Sequence, residues 1–202
     1  MRYPKILKFP SLLLLIALLI SGCSVLPETT PNQLYRLPAP GIKAIDAPLQ
    51  PVVLSVLPPA AGRLLGSDSI VVWPHGNQVS VYGGARWYED APAMLQSAWI
   101  EAIQQSAIVS HVSADRQGVD YQLTSELRDF HIVYTDGTPL AVMRVDLVLQ
   151  DSASGERLAT TQLQASQAAN NESVDAVVNA LGIAAENVNQ ALVQWLYLML
   201  ER

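Results

Sequence analysis

The chain has 202 residues, 12 basic and 18 acidic, and half of them are hydrophobic. Removing the first 22 residues leaves 9 basic against 18 acidic side chains, a formal charge of −9. That balance excludes a nucleic-acid-binding surface, where phosphate neutralisation supplies most of the affinity, and argues against adhesion to anionic headgroups. The length fits one domain.

Cys23 is the only cysteine and closes the run Leu19-Ile20-Ser21-Gly22-Cys23. An apolar residue, a small residue and a glycine before a cysteine form a lipobox. Arg2, Lys5 and Lys8 precede the apolar stretch from Phe9 to Ile20. This is the order of a charged n-region, an h-region and a small-residue cleavage site. The stretch is shorter than the roughly 20 apolar residues of a spanning helix. The expectation is a lipoprotein signal peptide over 1–22, diacylglycerol on the Cys23 thiol and cleavage before that residue. Two or three acyl chains anchor a protein stably where one does not. Ser24, standing where aspartate would retain the protein at the inner membrane, directs the anchor by enterobacterial sorting to the periplasmic face of the outer membrane. With its one thiol acylated, the chain holds no disulfide.

Pro27, Pro31, Pro38, Pro40 and Pro48 predict a stiff tether over 23–50, with the folded domain over 51–202. Gln33 to Leu37 interrupts the tether and reads as a short edge strand. Val52 to Leu57 is a β-branched run closed by Pro58-Pro59 and predicts a buried strand, followed by a loop over 58–66. Ile70–Trp73 and Gln78–Tyr82 flank a glycine-containing turn and predict a hairpin, with Gly83-Gly84 ending its second strand. Asp90 is a good N-cap, with Pro92 in the first turn of a helix running to about Ser106. Ala91, Leu95, Ala98, Trp99, Ala102 and Ile103 form its apolar stripe.

Tyr121 to Tyr134 predicts a long strand whose apolar phase shifts after Asp129, the mark of a β-bulge. Asp136-Gly137 makes a hairpin turn. Ala141, Met143, Val145, Leu147 and Leu149 alternate against polar neighbours, and Arg157 to Ala165 is a more polar strand nearer an edge. Ser173 caps a last helix with a broad stripe from Val174 to Met199, and its end, Trp195 to Leu200, is apolar all round, which points to a partner or oligomer contact. The order predicts an α+β two-layer sandwich, two helices on one face of a mostly antiparallel or mixed sheet.

Chemistry is sparse. His75, His111 and His131 show no metal-ligand spacing, and no metal or cofactor is expected. Gly66-Ser67-Asp68-Ser69 is not a nucleophile elbow and reads as a turn. Asp129 and His131 share a strand face, Ser125 and Ser166 have no partner motif, and Glu89-Asp90 suits a helix start. No catalytic residue stands out, and the chain does not read as an enzyme.

The lipobox, the Tyr35-Arg36-Leu37 strand, the Val-rich strand ending in proline, the hairpin, the Arg86-Trp87-Tyr88 junction and the Ala91-Pro92 helix carrying Met94 and Leu95 resemble the ABC-type transport auxiliary lipoproteins. These accompany Mce-family lipid-transport systems and include the outer-membrane component of the paraquat-inducible Pqi system. The resemblance implies a fold like the N-terminal domain of TolB. It also implies an accessory role, with an inner-membrane permease and ATPase, a periplasmic Mce-domain protein, and this lipoprotein docking the assembly at the outer membrane. Homo-oligomer rings are implied by analogy with the ring-forming Mce partners. Arg86, Trp87 and Tyr88 become candidate contacts, since arginine and aromatics anchor interfaces; the alternative is that Trp87 and Tyr88 close the core beside the helix. The short Gly66–Ser69 segment departs from the family, where a bulkier tyrosine- or arginine-bearing approach is expected.

Overall fold

The structure, a computed structural model, describes residues 31–39, 41–46 and 49–201, so the n-region, the lipobox and Cys23 lie outside the described residues. Among the described residues, nine strands and two helices follow in order. These are β1 (Gln33–Tyr35), β2 (Gln50–Val56), β3 (Ala60–Ala61), β4 (Ser69–His75), β5 (Gln78–Trp87), α1 (Ala91–Ser106), β6 (Val109–Ser113), β7 (Tyr121–Thr135), β8 (Thr138–Asp151), β9 (Arg157–Ala168) and α2 (Val174–Leu200). No helix among them is long and apolar enough to cross a membrane.

The sheet is organised around β7. Along one edge β8 pairs antiparallel with nearly its full length, from Tyr121 opposite Asp151 to Thr135 opposite Thr138. The other edge is shared in turn by β2, β3 and β4, each parallel to it. Pro58-Pro59 separates β2 from β3, because a proline has no N–H to give a ladder. β6 flanks β2, while β5 flanks β4 and β1 flanks β5, so the sheet is mixed and forks along β7. The long antiparallel ladders run from β7 through β8 to β9, and β9 is an edge as its polar pattern predicts.

One face of this sheet carries the core. In β8, Ala141, Met143, Val145, Leu147 and Leu149 are at most 1% exposed, while the intervening residues are half-buried, as period-2 alternation requires. Both helices pack on the core side, α1 against β2 and β6 and α2 against β8 and β9, and they touch each other. The predicted α1 stripe is buried throughout, with Leu95, Trp99, Ala102 and Ile103 at 0% exposure. Both expected caps are present: Asp90 accepts from the Ala93 N–H at 2.9 Å and Ser173 from the Ala176 N–H at 3.3 Å.

Several expectations change. The compact unit starts at Asn32, and the described residues from there to Gln50 are part of it. β5 does not end at Gly83-Gly84. It continues to Trp87, with Gly84 at φ +74°, a backbone bend open to glycine at no steric cost. β3 forms inside the stretch expected to be loop. β6 has no counterpart in the sequence reading, because Val109 and Val112 are its only apolar residues and their spacing of three matches no strand period. The bulge in β7 is present, with Arg128 as the extra residue: the register steps from Leu127 opposite Val145 to Asp129 opposite Arg144.

Candidate functional site

The junction between β5 and α1 is tied down by backbone. β1 lies parallel to the end of β5, pairing Gln33 to Tyr35 with Ala85 to Trp87. The Tyr88 N–H then donates to the Tyr35 carbonyl at 2.8 Å, and the Trp87 N–H to the Asp68 carbonyl at 2.8 Å. The three candidate contact residues separate here. Trp87 is 2% exposed and stacks on Phe130 with ring centroids 5.6 Å apart, so it is a core residue. Tyr88 is 51% exposed. Arg86 is partly exposed, its Nη1 2.8 Å from Asp68 Oδ1. The short segment Gly66–Ser69 is thus occupied in holding this junction, with Ser67 accepting from the Ala91 N–H through its carbonyl at 3.2 Å.

Downstream of β1 the chain forms a strap over both helices. The Gly41 N–H donates to Glu186 Oε1 of α2 at 2.9 Å. The Ile42 N–H donates to Gln105 Oε1 of α1 at 3.2 Å, and the Ile45 N–H to the Ser106 carbonyl at 3.0 Å. Tyr35 donates its hydroxyl to Asp175 Oδ1 at 2.8 Å, and that carboxylate raises the tyrosine pKa. Pro38 sits on Gly182 so closely that a Cβ there would lie 2.7 Å from the proline Cδ. Clefts flank the strap. One of about 200 Å³ lies between Arg36, Tyr88, Met94, Ser97 and Glu101. Another of about 290 Å³ lies over α2, lined by Ala98, Gly182, Ile183 and Asn189. Asn189 is 2% exposed and its Oδ1 has no hydrogen-bond partner among the described residues. The sequence reading missed this strap. Its one signal was Gly182, since a glycine inside an otherwise strong helix usually marks a close approach.

On the face of the sheet away from the helices lies a polar cluster. Asp129 accepts from Arg144 Nε at 2.5 Å, and its Oδ1 is 3.7 Å from His131 Nδ1. Trp73 stacks on the His131 ring at 4.2 Å between centroids. His131 is 3% exposed; burial lowers its pKa below 6.5, with Asp129 opposing and Arg144 adding to the shift. The unfolded chain therefore takes up a proton on this histidine before the folded one does. Stability carried by neutral His131 is fully present above pH 6.5 and declines as the pH falls below that value. Urea unfolding from pH 8 to pH 5 is expected to show this decline. His131→Phe, which keeps a ring for Trp73, is expected to flatten it. A slope unchanged by that substitution would remove His131 as the cause.

The remaining candidates stay apart. Ser125 lies opposite Leu147 on the core side and Ser166 opposite Val142 on the other face. His75 and His111 are exposed. Among the described residues, no group of three histidine, cysteine or acidic side chains lies close enough to hold a metal.

Comparison with known proteins places this geometry. The crystal structure of protein XCC0632 from Xanthomonas campestris, described as DUF330, is similar with a TM-score of 0.76 and 25% identity over 83% of this chain and 96% of that one. An uncharacterised protein of known structure is similar with a TM-score of 0.67 and 16% identity, over 82% of this chain and 99% of its own. The hypothetical protein CT253 from Chlamydia trachomatis shares the fold at a TM-score of 0.52 and 9% identity, over 74% and 98%. No curated protein matches the chain. The family profile described as ABC-type transport auxiliary lipoprotein component matches residues 35–193, from the β1 strap through most of α2, and the chain belongs to that family.

Proposed function

We propose that the chain is acylated at Cys23, held at the periplasmic face of the outer membrane, and docks the periplasmic Mce-domain protein of an ABC-type lipid-transport system there. Its role is accessory rather than catalytic. The family match over 35–193 carries this reading. The docking part is supported by Tyr88, a half-exposed aromatic beside the Arg36–Glu101 cleft, whose backbone is fixed by β1. A rigid, partly buried tyrosine over a cleft is the kind of residue that dominates interface energetics. An interior that carries lipid itself is the weaker reading, because Leu54, Trp99, Ile103, Leu123 and Met143, all at 0% exposure, fill the space between sheet and helices.

The test is a photo-crosslinking residue at position 88 of the lipidated chain in envelope membranes, with Cys23→Ala as control. An adduct with an Mce-domain protein, lost in the control, is the expected result. Tyr88→Ala is expected to lower recovery of that partner about tenfold, a hot-spot-sized effect. Adducts only with another envelope complex would overturn the docking role.

A further inference from the structure

We propose that the cleft between the β4–β5 hairpin and the start of α2 binds the ammonium group of a small organic cation, the group that choline and ethanolamine carry. The cleft holds about 380 Å³ and is bounded by Val72, Pro74, His75, Tyr82, Tyr134 and Glu172. Its walls follow from the sheet order. β4 lies between β5 and β7, with Val72 opposite Ser80 of β5 and beside Ile132 of β7. Alternation then places Tyr82, two residues on from Ser80, and Tyr134, two on from Ile132, on the face that carries the core. The two tyrosines come from strands on either side of β4, and their hydroxyls meet at 3.4 Å. Both side chains are half-buried and packed against the core.

Glu172 reaches the cleft on the connection from β9 to α2, which is tied down on both sides of it. The Ala169 N–H donates to the Pro139 carbonyl at 2.8 Å, the Ser173 N–H donates to Asn171 Oδ1 at 2.9 Å, and Ser173 itself caps α2. The Glu172 carboxylate has no hydrogen bond or ion pair among the described residues. No lysine or arginine lines the cleft, and the hairpin from Ser69 to Ala85 contains no Asp, Glu, Lys or Arg. The acidic charge is therefore left uncompensated. It is felt at the hydroxyls: burial first, then the Tyr134 hydroxyl and the charge on Glu172, raise the Tyr82 pKa, so this phenol stays neutral. An unpaired carboxylate beside two phenol rings selects its occupant by charge. An anion is repelled, and a neutral acyl chain would desolvate the carboxylate without pairing it. One carboxylate is too few ligands for a metal ion. An ammonium group is attracted by the rings and paired by the carboxylate, while its methyl or methylene groups meet Val72 and Pro74.

The test is NMR of the full chain in maltoside micelles, which supply no amine, with the tyrosine rings isotopically labelled. Choline and ethanolamine are expected to shift the Tyr82 and Tyr134 ring signals saturably. The neutral isostere of choline, with carbon in place of the quaternary nitrogen, is expected to leave them unmoved. Glu172→Gln is expected to weaken choline binding about threefold, and Tyr134→Leu by about as much, sizes typical of an exposed ion pair and a cation–π contact. Glu172 is exposed, so its substitution is expected to leave the Tm unchanged and to isolate the binding effect. Phosphatidylcholine mixed into the micelles, set against soluble glycerophosphocholine, separates the sources of the ammonium group. Larger shifts with the former assign the cleft to a lipid head, and larger shifts with the latter to a soluble amine. Equal shifts with the neutral isostere, no saturable shift with either amine, or unchanged choline affinity in Glu172→Gln would overturn the site. The assay needs neither acyl group nor partner, so its failure would leave the docking role at Tyr88 standing.

Discussion

Trp87→Ala is expected to cost about 3–5 kcal/mol of stability, the range for removing a large aromatic from a packed core. The residue is 2% exposed, stacks on Phe130 and ends the strand that β1 clamps. For a domain of this size the loss corresponds to a Tm fall of roughly 10 °C or more. Tyr88→Ala, one residue on and 51% exposed, is expected to change stability by about 0.5 kcal/mol or less. Thermal and urea unfolding by circular dichroism measure both. The contrast assigns roles within an adjacent pair: Trp87 holds the junction and Tyr88 is presented by it. A Trp87→Ala protein that kept its Tm but lost the partner crosslinked at position 88 would reverse that assignment.

The second large effect concerns the strap, and its sign depends on context. In an open helix, Gly182→Ala would gain about 1 kcal/mol from propensity. Here the new Cβ meets Pro38 Cδ at 2.7 Å and Cγ at 2.8 Å, both on a ring that cannot rotate away. Overpacking of that kind costs about 1–3 kcal/mol. The single substitution is therefore expected to destabilise the protein by up to about 2 kcal/mol, the difference between these two contributions. Pro38→Ala removes both clashing atoms, so adding it is expected to uncover the helix gain. The double-mutant cycle should show a coupling of about 0.5–3 kcal/mol. Additivity would mean that the strap does not bear on α2. Limited proteolysis gives an independent reading, since a displaced strap should be cut between residues 36 and 46 in Gly182→Ala alone.

Much of the fold was legible because it follows local rules. The caps at Asp90 and Ser173, the turn at Asp136-Gly137 and the alternation through β8 each depend on residues close in the chain, and each appears where expected. The phase shift in β7 located a bulge, although not the residue, because Arg128 and Asp129 are both polar and periodicity does not choose between them. What stayed hidden depends on distant partners. β3 is two alanines, which become a strand because Glu126 and Leu127 of β7 are beside them. β6 needs β2 to pair with, and the strap needs the groove between two helices. Of the candidate site, the sequence singles out Arg86–Tyr88, but one strand residue inward and the next outward look alike in composition. Burial separated Trp87 from Tyr88, and burial is a property of the folded sheet.

The single strand at the centre of the sheet also governs when this protein can fold. β2, β3 and β4 all pair with β7, which starts at Tyr121, so until that residue has been delivered β2 has only β6, β4 only β5, and no strand joins the two pairs. Pairing of this sequence separation is slow, on the scale of milliseconds to seconds for small domains. A chain emerging N-terminus first would hold β2 and β4 each open along the edge that β7 later covers throughout that interval. Such open edges pair readily with other chains, so the interval before β7 arrives is when this protein is most prone to aggregate.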